Sequence, residues 1–512
     1  MFKTYKASAG SGKTTRLVAE YISVCLKNPE RFRNILAITF TNNATAEMKE
    51  RIVQTLHDFA FEENYNNLSG SGKAVLEMIK SNLQLEQDKA DLFIREKSMA
   101  LLQQILYDYA NFSISTIDSF FQRLIRSFAI ELNLNLNFDV ELSKEVLFQQ
   151  TIDVLLNKMS KEENNSDFSV TRKILQLIDK NLEESGRPNV EKELMKLLRF
   201  MDDETSYLPM KKLEKTAPED MVSAIKKLLN EKKRLKKEIV EIAKQGDYWV
   251  KNCGMSMDDF LQKSRGPYVF FEKIIQNPDE PKECYMKTAR EKGTVFGKNV
   301  TMPAEFHQKF FEYDTSVTGL LEKYKLVSIF SKNLDAFLLL FDLKKIMEQL
   351  NSYLNVLYIS DSNKLIHDSI KDEDSPYIYE KLGNRYSTYL IDEFQDTSKM
   401  QWDNLLPLVK NAISGTDQFG LAGKSILFGD VKQAIYRFRN GDSSLFNRLT
   451  TKEGFLEAMK RDNANDEEFE NISLNTNYRS SNAIVSFNNL FFDFLKGLEK
   501  KQYCCRNSYG SK

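Results

Sequence analysis

Breakers and cross-linkers are scarce in this 512-residue chain, which carries 20 Gly, 10 Pro, 5 Cys, 2 Trp and 3 His. Few Gly and Pro among many Leu, Lys and Glu point to long helices and a mostly helical α/β protein. The cysteines (Cys25, Cys253, Cys284, Cys504 and Cys505) form no CxxC pair and no secretory spacing, which excludes a disulfide scaffold and fits reduced thiols in a cytosol. His57, His307 and His367 stand at no metal-ligand spacing, which excludes a histidine-built metal centre. No apolar run reaches the roughly 18 residues of a spanning helix, and no signal peptide precedes the first motif. A soluble cytoplasmic protein without membrane contact is expected. Charge of one sign is missing as well: the net charge is −1, so binding to a polyanion needs a local basic surface. The length exceeds what one hydrophobic core usually covers, so two or three domains are expected.

What is present is an ordered series of segments. KTYKAS (Lys3–Ser8) reads as a short strand running into a Gly-rich turn and then a helix, LVAEYISVCLK (Leu17–Lys27). ILAITF (Ile35–Phe40) reads as a second strand followed by a capped helix from Ala44, so the alternation predicts a parallel sheet. Further strands are expected at Ser113–Ile117, Ser387–Asp392, Ser425–Asp430 and Asn471–Asn475. Between Phe128 and about Arg385 the strand-type runs disappear. That stretch reads as helices broken at Ser185–Asn189 and Gly266–Tyr268, a helical domain inserted into the sheet domain. Asn463–Asn471 reads as an acidic solvent loop. The densest basic stretch is Lys226–Glu238, with Ile225, Leu228, Leu229 and Leu235 at helical spacing among lysines. It reads as a solvated helix face before it reads as a surface for duplex phosphates.

Two segments carry nucleotide chemistry. ASAGSGKTT fits a phosphate-binding loop in which Ala7 takes the first glycine position. Ala7, Ser8, Ala9, Gly10, Ser11, Gly12, Lys13, Thr14 and Thr15 are therefore candidate ATP contacts. Gly10 and Gly12 let the backbone curl so that successive N–H groups face phosphate, and the following helix turns its positive end to the same charge. Lys13 is expected on the β- and γ-phosphates and Thr14 on Mg2+ through its hydroxyl. In LIDEFQDT (Leu390–Thr397) an apolar strand ends in two carboxylates with separable roles. Asp392 is expected to hold magnesium, and Glu393 to orient and deprotonate the attacking water. Gln395 and Gln433 are amides able to bridge water and γ-phosphate.

With ATAEMKERI and TIDSFFQRL between these two segments, and GDVKQAIYRFR (Gly429–Arg439) and LNTNYRSS after them, the series resembles the helicase motifs of superfamily 1, UvrD/Rep type. GDVKQAIYRFR and the early loop resemble most the RecB/AddA branch, exodeoxyribonuclease V beta subunit-like motor-nuclease subunits. The resemblance implies a RecA-like P-loop NTPase sheet with a large all-helical insertion. It also implies ATP and Mg2+ as cofactors and, as partners, single-stranded DNA, duplex ends and a nuclease/helicase subunit. The activity it implies is ATP-dependent DNA unwinding or translocation in double-strand-break repair and recombination. Ile38–Ile52 and Thr116–Leu124 correspond to strand-contacting motifs, so Thr39, Thr41, Asn42, Ser119 and Phe120 are candidate DNA contacts. Tyr436 and Phe438, interleaved with Arg437 and Arg439, offer stacking faces and charge to an unpaired strand. In NYRSS, Tyr478 is a candidate stack for adenine and Arg479 a candidate contact for the γ-phosphate.

By the same resemblance, residues 1–128 and 386–480 form one motor domain, 129–385 the insertion and 481–512 the start of a second motor domain. No motif V or VI is recognised, so an N-terminal part of a longer helicase-nuclease is expected. The alternative is a non-catalytic module that binds ATP and single-stranded DNA and acts through a partner.

Overall fold

The structure is a computed structural model describing residues 1–84, 87–132, 134, 138–141, 143–159, 170–185, 189–216, 218–252, 254–279, 284–297, 300, 304–354, 356–370, 385–417, 419–461 and 468–508. The chain divides into two compact units. One comprises Met1–Lys144, Asp203–Thr205 and Leu354–Lys512; the other comprises Glu145–Asp202 and Ser206–Tyr353. The second unit begins and ends inside the expected 129–385 boundaries.

The first unit is built on a six-stranded sheet with all pairings parallel. Its strands are β1 (Phe2–Ala7), β2 (Ile35–Thr39), β3 (Ile114–Thr116), β6 (Thr388–Ile391), β7 (Lys424–Gly429) and β8 (Phe469–Leu474), in the spatial order β3-β2-β6-β7-β1-β8. β4 (Asp139–Glu141) and β5 (Val356–Tyr358) form a separate parallel pair. All six sheet strands fall where the apolar runs predicted them. β4 and β5 correct the expectation that no strand lies between Phe128 and Arg385: at three residues each they are too short to show a two-residue period.

Alternation along the strands explains the layers. Leu36, Ile38, Tyr389, Ile391 and Leu427 pack into one core cluster, while Ile35, Ala37, Leu390, Ile426 and Phe428 pack into another. Both faces of the sheet are thus covered, which is the condition for parallel strands to be apolar throughout. Every residue of β2 and β6 is buried.

Three helices start just beyond strand ends, each on a side-chain cap. Thr41 Oγ1 accepts from Ala44 N at 3.1 Å ahead of helix Asn42–Phe61, and Thr116 Oγ1 accepts from Ser119 N at 3.2 Å ahead of helix Ile117–Ser127. Ser398 and Gln401 form a reciprocal capping box ahead of helix Lys399–Ser414. Polar residues therefore collect at the carboxyl ends of the strands, where open parallel sheets bind ligands.

The second unit is helical in its described residues. Its 34-residue helix Pro218–Lys251 buries Leu235, Ile239, Ala243 and Val250 against Phe271, Phe310, Val317 and Leu321. The basic stretch lies on this helix, where Arg234 pairs with Glu231 and Glu238 and Lys236 pairs with Asp279. Gly266 and Pro267 begin helix Pro267–Gln276, as the Gly-Pro break predicts. Of the expected Ser185–Asn189 break, residues 186–188 lie outside the described residues. So do residues 463–467 of the expected acidic loop, whose remainder from Phe469 is instead part of β8. No described helix is long and apolar enough to cross a membrane.

Candidate nucleotide site and aromatic ledge

β1 ends at Ala7, and the chain turns through a Ser11 N–H to Ser8 carbonyl bond of 3.0 Å. Gly10 and Gly12 have φ values of 75° and 79°, a region that side chains disfavour. Gly12 caps helix Lys13–Lys27, whose first turn has neither a side-chain cap nor an acidic residue. Its free N–H groups and positive end are therefore left for an anion. Ser8 and Ala9 are exposed, Thr14 and Thr15 are half-buried at the helix start, and the buried Ser11 hydroxyl has no hydrogen-bond partner among the described residues.

Across the sheet, Asp392 N–H donates to the Ile38 carbonyl at 2.8 Å and extends the ladder one residue past β6. Glu393 then adopts φ 50°, which is strained for a residue with a Cβ. Its N–H donates to Asp392 Oδ1 at 2.9 Å. The Lys13 ammonium contacts Glu393 Oε1 and lies 3.5 Å from Asp392 Oδ1, so loop and carboxylates meet. Burial pushes the Asp392 carboxyl above its usual range, against the pull of Lys13. A largely buried carboxylate that shares the Lys13 ammonium with Glu393, near a helix whose second residue is a threonine, is a donor set that suits Mg2+. That ion takes one or two protein oxygens and completes its shell from phosphate and water. Among the described residues no cluster of three or more His, Cys, Asp or Glu competes for it.

β7 lies between β6 and β1. Gln395 bridges the carboxyl ends of β6 and β7: its Nε2 donates to Glu393 Oε2 at 2.7 Å and its Oε1 accepts from Asp430 N at 2.9 Å. Gln433 Nε2 instead donates to Asp430 Oδ2 at 2.8 Å. The amide that touches Glu393 is thus Gln395, with Gln433 two hydrogen bonds further out, beyond Asp430.

NYRSS is seated on the phosphate loop. Tyr478 N–H donates to the Gly10 carbonyl at 2.8 Å, and Asn477 Oδ1 accepts from Arg479 N at 2.8 Å and Ser480 N at 3.0 Å. The approach is so close that a Cβ on Gly10 would lie 2.6 Å from Asn477 Oδ1 and 2.8 Å from Arg479 Cβ. Tyr478 and Arg479 are exposed beside the loop. Asn477 went unrecognised in the sequence, although an Asn whose side chain bonds its own backbone two residues on is a familiar turn former.

The expected strand contacts divide. Phe438 is 79% exposed, stands 5.8 Å in ring centroid from Tyr436, and has the Arg439 guanidinium 6.0 Å from its own ring centre. Tyr436 packs on Phe40 at 4.3 Å, giving an aromatic ledge of three rings. Thr41 and Asn42 are exposed at the head of their helix, and Ser119 is half-buried at the head of its own. Thr39 and Phe120 are corrections. The Thr39 side chain is buried, with its hydroxyl 2.5 Å from Thr45 Oγ1 and 3.2 Å from the Thr41 carbonyl, which leaves it no donor for phosphate. Phe120 is buried in the core cluster and offers no face to a base.

Asp396, which sequence reasoning missed, accepts the backbone N–H groups of Ile435 at 3.3 Å and Tyr436 at 3.4 Å. Burial raises its carboxyl above the usual range, and those two donors pull it back.

The sheet, the loop and the two strand-end carboxylates define an α/β protein of the helicase class: the chain belongs to the UvrD/REP helicase N-terminal domain family, matched over residues 5–453. Individual relatives sharpen the likeness. The chain is 24% identical to an "ATP-dependent helicase/nuclease" subunit of Oceanobacillus iheyensis, over 95% of this chain and 37% of that protein. It is 26% identical to the protein of the same name from Bacillus cereus, over 96% of this chain and 38% of the relative. It is 24% identical to "RecBCD enzyme subunit RecB" of Haemophilus influenzae, over 96% and 40% respectively. The chain thus spans about two fifths of the length of these relatives. The resemblance read from the motifs holds.

Proposed function

We propose that the chain is the first motor domain of an ATP-dependent DNA helicase or translocase subunit that acts with a nuclease/helicase partner in double-strand-break repair. Family membership and the names of the relatives support this reading, and the contact of Lys13 with Asp392 and Glu393 carries it. The sheet is read as a RecA-like P-loop core, the helical unit as its insertion, and Asn482–Ser508 as the first helix toward a second motor domain. The cytoplasm is the compartment that fits.

In this reading Ala7–Thr15 wrap the triphosphate, Lys13 neutralises its β and γ oxygens, and Tyr478 and Arg479 close over the loop from the seat made by Asn477. Thr14 and Asp392 would hold Mg2+, which when bound offsets the charge on the phosphates. Glu393, oriented by Gln395, accepts a proton from the attacking water. Tyr436, Phe438 and Arg439 stack and neutralise an unpaired strand without reading its bases. Thr41, Asn42 and Ser119 contact its phosphates.

The test is ATP turnover of the purified chain with and without single-stranded DNA, beside nucleotide binding. Stimulated turnover that Lys13→Ala abolishes supports the motor. Nucleotide and strand binding with negligible stimulated turnover supports the binding-module reading. Absence of nucleotide binding overturns both.

A further inference from the structure

We propose that Asp396 is a positioning residue that locks the aromatic ledge to the carboxylate strand, so that nucleotide and DNA strand sense each other through its hydrogen bonds. This rests on the functional reading above. Asp396 is 5% exposed, so its carboxyl works through the residues it bonds. One of its oxygens, Oδ1, accepts the N–H groups of Ile435 and Tyr436, at the root of the ledge. The other, Oδ2, accepts from Gln395 Nε2 at 3.2 Å, and that same nitrogen donates to Glu393 Oε2 at 2.7 Å. A continuous path therefore runs from Glu393 through Gln395 and Asp396 to Tyr436, and across the ring contacts to Phe40 and Phe438.

A carboxylate suits this task. It accepts at both oxygens at once, and hydrogen bonds to an ionised acceptor are about twice as strong as neutral ones. The segment is tied a second time beyond the ledge, where Asp442 N–H donates to the Thr397 carbonyl at 3.0 Å and Ser398 bridges Gly441. Gly441 permits that closeness: a Cβ there would meet the Asp396 carbonyl oxygen at 3.0 Å and the Tyr436 carbonyl oxygen at 3.1 Å. The ledge is thus clamped on both sides to residues 396–398, the turn that leaves the ATP carboxylates.

The experiment measures binding of a labelled oligothymidylate to the full chain by anisotropy, with and without a non-hydrolysable ATP analogue and Mg2+. In the parent, the analogue is expected to shift strand affinity about fivefold or more, the lower end of ordinary coupling energies. In Asp396→Ala the shift falls below about twofold, while affinity for the analogue alone stays within about twofold of the parent. Asp396→Asn, whose amide oxygen still accepts, restores part of the shift. Gly441→Ala, which leaves the carboxylate intact but crowds its backbone, loses the shift as Asp396→Ala does. It also decides the matter should the alanine variant fail to fold. A role limited to stability lowers both affinities and the melting temperature together. That result, or an undiminished shift in folded variants, overturns the proposal. A parent that binds neither ligand overturns the functional reading, and a parent that binds both without coupling overturns this inference alone.

Discussion

The phosphate loop and the aromatic ledge follow neighbouring strands, β1 and β7, and are built in opposite ways. The loop works with backbone: two glycines at positive φ, uncapped N–H groups, and a lysine drawn to two strand-end carboxylates. The ledge works with side chains, and its backbone is surrendered to Asp396 so that Phe438 can stand 79% exposed. An anion is gripped best by dipoles fixed in advance, at sites where substitution is barely tolerated. A stacking surface has only to be large, flat and held still, because every base has a π-face.

The largest break in this comparison falls on the loop side. Lys13→Ala removes the charge facing both the phosphates and the Asp392–Glu393 pair, and ATP turnover is expected to fall about 10²–10³-fold, the loss typical of a preorganised charge-stabilising donor. A steady-state assay checks it, and turnover within a few fold of the parent would mean that Lys13 is only a partner for the carboxylates. On the ledge side, Phe438→Ala is expected to weaken strand binding by about 1–3 kcal/mol, the worth of one stacked base. If nucleotide affinity fell equally, the two regions would not be separable as argued.

Gly10→Ala tests the loop through backbone alone. Positive φ costs a non-glycine residue about 1–2 kcal/mol, and the new Cβ collides with Asn477 and Arg479. Both a lower unfolding midpoint in denaturant and weaker nucleotide binding are expected. Gly70→Ala is the control: it sits at the start of a helix with nothing within 4 Å of a new Cβ, and should leave the midpoint unchanged or slightly raised. An equal loss at both positions would remove the special status of the loop.

The same contrast explains what the sequence could disclose. Strands buried on both faces read as apolar runs, so all six sheet strands and the carboxyl-end clustering of Lys13, Asp392 and Glu393 were legible. β4 and β5 were not, because three residues carry no period. Thr39 and Phe120 were misjudged because a polar or aromatic residue at a strand end or helix head looks alike whether it faces solvent or core; only packing decides. Asp396 escaped because its partners are main-chain N–H groups 39 and 40 residues away, and main-chain donors leave no trace in residue type. Asn477 escaped for the same reason, since it caps its own backbone.

The smallest expected effect concerns Asp118, at the head of helix Ile117–Ser127. Burial raises its carboxyl above the usual range, opposed by the hydrogen bond from Gln401 Nε2 at 3.3 Å and by the charge of Arg439. A carboxyl raised in the folded state favours folding while it is protonated. That contribution is complete below the unfolded value of 3.8 and is lost as pH rises through the higher folded value. At neutral pH the parent therefore carries an under-solvated charge that Asp118→Asn removes, while the asparagine side-chain oxygen still accepts from Gln401. The variant should melt above the parent at pH 7–8, and the difference should shrink as pH falls through the raised value. Subtracting the two melting curves at each pH cancels the titrating groups that do not feel Asp118; Glu204, whose carboxyl the Asp118 charge helps to raise, stays in the difference. Since the Arg439 charge opposes the shift, adding Arg439→Ala should widen the difference. If Asp118→Asn instead melted lower at pH 7–8, the attraction between the Asp118 and Arg439 charges would outweigh burial, and the ledge would owe part of its placement to charge as the loop does.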